Sequence, residues 1–132
     1  MIATSGGIHY KDLGANHHMW TDAYLEDDGR IHGSTRTATF TLFGGFTGGC
    51  RILVFDANMI LLDVSPENTY GVDGKWIGTN DRTDYWEHYL DLGRVGGAVT
   101  LRPAQYWAPT WRHLGTVIEI GKQVAPAILA LL

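Results

Sequence analysis

The chain has 132 residues, of which 45% are hydrophobic, 18% charged and 11% aromatic. That is one domain's worth of sequence and too apolar for an intrinsically disordered chain. A formal net charge of −4 supplies no basic field for nucleic acid or an anionic membrane surface, and the single cysteine, Cys50, excludes an internal disulfide and any all-cysteine metal site.

Seventeen glycines are nearly twice the usual ~7% share. Together with five Trp and six Tyr, they point to tight turns between aromatic strands. The opening residues 1–7 have neither the basic nor the apolar region of a secretory signal, so a cytoplasmic location is the default expectation.

The first strong signal is Asp28-Gly29, a pair that favours a two-residue hairpin turn with positive φ at both centres. On that reading Asp27 faces Arg30, Leu25 opposes His32, and Trp20 opposes Thr37. Thr35, Thr37, Thr39 and Thr41 then share a face with Trp20 and Tyr24, while Ala38, Phe40 and Leu42 share the other. Threonine suits a solvent-facing strand position, so the threonine array is expected on the surface.

The glycine-rich stretch 43–49 ends this strand in a bend, bulge or loop. It lacks the GK[ST] ending of a phosphate loop. Residues 51–55 and 59–64 read as two buried strands around the tight turn Asp56-Ala57-Asn58. Residues 65–84 are turn-rich. Over 84–92, Tyr85, Glu87 and Tyr89 alternate with Trp86, His88 and Leu90, which favours a strand over a helix capped by Asp84. Residues 98–102 read as a strand that Pro103 either ends or confines to an edge.

The chain then changes character. Thr110 can cap a helix in which Leu114, Val117, Ile118, Gly121, Val124, Ala125, Ile128, Leu129 and Leu132 recur at helical spacing, with a kink at Pro126. The last nine residues carry no polar side chain. This run falls short of the ~20 residues needed to span a bilayer, so no transmembrane segment is expected. Apolar on most sides, it calls for burial on more than one face. Val124, Ile128, Leu129 and Leu132 are therefore candidates for an interface between copies.

Three constellations bear on chemistry. Of six histidines, His17, His18 and His32 are candidate Zn²⁺ ligands for a small metal-dependent hydrolase, since neutral imidazoles suit this ion. Asp73, Asn80, Asp81, Asp84 and Glu87 offer oxygens for Ca²⁺, though without the EF-hand order. Trp76, Tyr85 and Trp86 with Asp81 supply the ring faces and carboxylate of a sugar site. No serine stands in a nucleophile elbow, and Cys50 reads as a small buried hydrophobe. No catalytic residue is assigned, and no cofactor is required.

The sequence thus predicts a single domain over 1–132. A β-rich body (1–109), an antiparallel β-sandwich or partly open barrel, precedes one apolar C-terminal helix (110–132). The expected function is a non-catalytic binding or self-assembly module, a homo-oligomer joined through the C-terminal helix and aromatic surface. A lectin-like carbohydrate binder using loops 70–89 is the first alternative, and the metal-dependent hydrolase the second.

Overall fold

The computed structural model describes residues 1–108. The predicted helix over 110–132, with Val124, Ile128, Leu129 and Leu132, lies outside the described residues. Those described form β1 (Ala3–Thr4), β2 (His9–Gly14), β3 (His17–Leu25), β4 (Arg30–Thr39), β5 (Phe46–Asp56), β6 (Leu61–Val64), β7 (Asn68–Val72), β8 (Asp81–Tyr89), α1 (Leu92–Val95) and β9 (Ala98–Trp107). The strands make one sheet ordered β6-β5-β9-β1-β3-β4-β8. β2 continues the line of β1 along β3, and β7 that of β6 along β5. The sheet curls until β7 lies against β4. The result is the expected all-β class, a partly open barrel.

The β3–β4 hairpin forms as the sequence predicts, but its register is shifted by one residue. Leu25 faces Ile31, Tyr24 faces His32 and Trp20 faces Arg36. The loop has three residues rather than two. Glu26 and Arg30 close it, Gly29 N–H donates to the Glu26 carbonyl, and Gly29 takes φ +89°. This is a type I turn followed by a left-handed bulge residue, the next commonest hairpin connection. A slip of one residue moves side chains relative to every cross-strand partner. Thr35, Thr37 and Thr39 are therefore fully buried rather than solvent-facing, and Trp20 and Tyr24 lie on the opposite face. Phe40 and Leu42 are exposed because β4 has already ended at Thr39.

β9 also departs from expectation: it runs through Pro103 to Trp107 with β5 along its length. Ile52, opposite Pro103, turns its own N–H and C=O towards Ser65. The pair is therefore of the non-hydrogen-bonded kind, and the Pro103 nitrogen points away from β5. On that side β1 meets β9 only at Thr4/Thr100, so no ladder bond is lost. Residues 84–89 are strand, as the alternation predicts. Asp84 pairs with Thr35 instead of capping a helix, and the cap of α1 is Asp91, whose carboxylate accepts from Gly93 N–H.

The core between the curled layers holds Met19, Ala23, Leu25, Ile31, Phe46, Cys50, Ile52, Val54, Tyr70, Val72, Trp86 and Leu101. Each large aliphatic side chain buried there contributes about 1.5–3 kcal/mol of transfer free energy. A hydrogen-bond chain crosses the same interior. Trp86 Nε1 donates to Thr35 Oγ1 at 3.1 Å, and the Thr35 and Thr21 hydroxyls are 3.0 Å apart. Thr21 Oγ1 donates to Gln105 Oε1 at 2.8 Å, and Gln105 Nε2 donates to the His9 carbonyl. With Thr21 donating to Gln105, Thr35 must donate to Thr21, so the chain has one direction from β8 through β4 and β3 to β9 and β2. Such a satisfied network ties strands that share no ladder.

Candidate functional site

Strand alternation sends every second residue of β3, β4 and β8 to the outside of the curl. The register sets Trp20, Arg36 and Thr83 abreast, then Asp22, Ser34 and Tyr85, then Tyr24, His32 and Glu87, with Arg30 beside Tyr89. Tyr10 of β2 lies beside Trp20. Rings thus occupy every strand of one outer face or its flank. Tyr85 is 86% exposed and Tyr89 67%.

Polar contacts hold this face in shape. The Arg36 guanidinium carbon sits 4.3 Å over the Trp20 ring, a cation–π arrangement. Arg36 Nε and Nη2 donate to the two carboxylate oxygens of Asp81 at 2.9 and 2.7 Å. Those hydrogen bonds hold the Asp81 carboxyl below the usual carboxylate range. Tyr10 Oη and His18 Nδ1 share a 2.6 Å hydrogen bond, and the Tyr10 and Trp20 rings lie 5.2 Å apart. At the other end His32 Nε2 meets Glu26 at 2.9 Å, and Arg30 meets Glu87 at 3.3 Å. The arrangement offers flat apolar faces with fixed donors and acceptors between them. It can bind, and its hydroxyls lie against bases as parts of the same face, Tyr10 on His18 and Ser34 Oγ donating to Asp22 Oδ1 at 3.0 Å.

The residues predicted from the 70–89 segment are dispersed. Tyr85 and Asp81 lie on the outer face at separate levels of β8. Trp86 points inwards and is buried, its indole nitrogen spent on Thr35; it is a core residue, which corrects its reading as a surface ring. Trp76 is exposed in the turn before β8 and meets Phe43 edge-on at 5.4 Å. The sequence reading missed Tyr10, Arg36 and Tyr89 as parts of one face. The alternation of β8 already carried Tyr89, but Arg36 needed the true hairpin register and Tyr10 the pairing of β2 with β3.

The metal candidates do not converge. His17 and His18 are adjacent in a strand and so face opposite ways: His17 is buried against Phe46 and Trp107, and His18 is outside with Tyr10. His32 lies near the far end of the hairpin with Glu26. Among the described residues, no three His, Cys, Asp or Glu side chains gather as a metal site. The acidic set is likewise divided, because Asp81, Asp84 and Glu87 each pair with a different arginine. Cys50 is buried, its sulfur 3.6 Å from Thr21 Oγ1, and burial pushes its thiol up to about 12. Such a thiol is inert at neutral pH. No helix among the described residues is long and apolar enough to cross a membrane.

No family model matches the chain, and no curated protein matches it. Among solved structures, the chain is similar to that of a DUF1425 family member from Shewanella sp. pv-4. The two share 14% identity at a TM-score of 0.40, over 84% of this chain and 95% of the other.

Proposed function

We infer that the protein is a non-catalytic binding and self-assembly module whose partner is another copy of the chain. The observation that carries this reading is the ring-bearing outer face of β3, β4 and β8, where Tyr85 and Tyr89 stand in solvent. Exposed tyrosines with arginines beside them are the composition of an interface centre, and the carboxylates suit its polar rim. The apolar residues Val124, Ile128, Leu129 and Leu132 add a second adhesive segment on sequence grounds. Light scattering after size exclusion, over a hundredfold concentration range, tests the reading for the full chain and for a chain ending at Gln123. A defined oligomer that dissociates on dilution or truncation supports it, and a monomer throughout overturns it.

A lectin-like role at the same face is the second reading. It is favoured by the outward order ring, carboxylate, ring at Tyr85, Glu87 and Tyr89, which matches the C–H faces and hydroxyls of a sugar. Glycan-array binding that disappears in Tyr85→Ala would support it, and silence across the array would remove it. The hydrolase reading is not carried forward, because its three histidines are apart.

A further inference from the structure

We propose that the outer edge of β8 pairs with the same edge of a second copy, antiparallel and centred on Tyr85, so that two sheets join into one. This rests on the self-association reading and names its interface. β8 is the last strand of the sheet order, and β4 is its ladder partner over all nine residues. The Thr39 N–H donates to the Asn80 carbonyl. That bond sets the phase of the ladder: the even-numbered residues of β8 bond to β4, and Asp81, Thr83, Tyr85, Glu87 and Tyr89 turn their N–H and C=O outwards. No other strand among the described residues pairs with this edge. Arg82 and His88 are drawn inwards to Gly71 and Asn68 of β7, which clears the edge of the two long inward side chains that flank it.

The charge pattern selects the register. With Tyr85 opposite the partner's Tyr85, Thr83 meets the partner's Glu87 and Asp81 meets the partner's Tyr89. All nine residues of β8 then pair, and no two carboxylates face each other. Moving the axis to Asp84 would set that carboxylate against the partner's Asp84, and Asp81 against the partner's Glu87, which is destabilising. Moving it to Trp86 would leave Asp81 and Arg82 beyond the paired region. The central pair brings the most exposed ring of β8, Tyr85, against its own copy on one face.

The test uses the full chain. Proline at Thr83 or Glu87 removes an N–H that points away from β4, so the internal ladder stands. Circular dichroism and thermal unfolding check that Thr83→Pro and Glu87→Pro remain folded. A Tyr85→Cys variant supplies an independent readout. Facing residues of a hydrogen-bonded pair have Cα atoms ~5.5 Å apart, within the ~4.4–6.8 Å span of a disulfide. The expected results are loss of the dimer in the folded proline variants, and oxidative cross-linking of Tyr85→Cys but not of Tyr10→Cys. If the proline variants do not fold, the cross-link decides alone. A wild-type oligomer that survives both prolines, or that leaves the cysteine at 85 unlinked, overturns the β8 edge while self-association stands. A wild-type monomer at every concentration overturns both.

Discussion

The imidazole of His17 lies flat on the ring of Phe46, with centroids 4.2 Å apart and planes 11° from parallel. The two residues belong to β3 and β5, which share no ladder, so the stack joins the two layers of the curl. Trp107 packs beside both rings, 4.9 Å from His17 and 6.0 Å from Phe46, and Thr39 Oγ1 meets Nδ1 at 2.7 Å. Burial, with a smaller contribution from neighbouring His18, holds the His17 pKa below its ordinary 6.5. The unfolded imidazole takes up its proton near that ordinary value, and the folded one only at lower pH. The stabilisation is therefore present above about 6.5 and is lost as pH falls from there towards the lowered folded value. Urea midpoints at about pH 7.5 and about pH 5 should differ, and His17→Phe should narrow the gap. A residual slope is expected from His88, which burial also holds low. An unchanged gap in His17→Phe would remove His17 as the source.

The interior hydroxyls make opposite predictions at two neighbouring positions. Thr21 Oγ1 serves Thr35, Gln105 and Cys50, so Thr21→Val leaves buried polar atoms without a partner and should cost about 1–3 kcal/mol. Thr37 Oγ1 is buried with no hydrogen-bond partner, so Thr37→Val should be neutral or stabilising by up to ~1 kcal/mol. Denaturant unfolding of the two variants checks the contrast. Equal losses at both would show that packing, not hydrogen bonding, governs this layer.

Gly33 is required by close approach. A Cβ built there would lie 2.0 Å from the Asp22 carbonyl oxygen and 3.0 Å from Trp86 Cζ2. Neither neighbour is a free side-chain end, since one is backbone and the other a buried ring. Gly33→Ala should therefore cost at least the ~1–3 kcal/mol of an overpacked core, measured by thermal unfolding. A variant of wild-type stability would mean that β3 and β4 separate easily at this point.

The Arg36–Asp81 pair should matter little for stability and more for the surface. It is a partly exposed ion pair, a class worth ~0–1 kcal/mol. Asp81→Asn should shift the unfolding midpoint only slightly. Arg36→Ala removes the cation over Trp20 and should red-shift its fluorescence by admitting water. An unshifted spectrum with a large loss of stability would reverse these roles.

Alternation and turn chemistry were enough to read the all-β class, the β3–β4 hairpin and the strand over 84–89 from the chain itself, because these depend on neighbours a few residues apart. Asp28-Gly29 marked the turn, but two- and three-residue loops use the same pair, and only the folded hairpin selects between them. That one residue decided whether Trp20 faced Thr37 or Arg36, and so which rings share a surface. The burial of Thr35 and Thr37 was hidden for the same kind of reason. A threonine is favourable inside only when distant partners such as Trp86 and Gln105 satisfy it, and local spacing carries no record of them. Pro103 could cross the sheet because β1 is short where its nitrogen points, and His17 and His18 were parted by the elementary alternation of the strand that carries both. Pattern along the chain determines which segments become strands; what lies opposite each of them, and hence the surface available for binding, is decided by tertiary register.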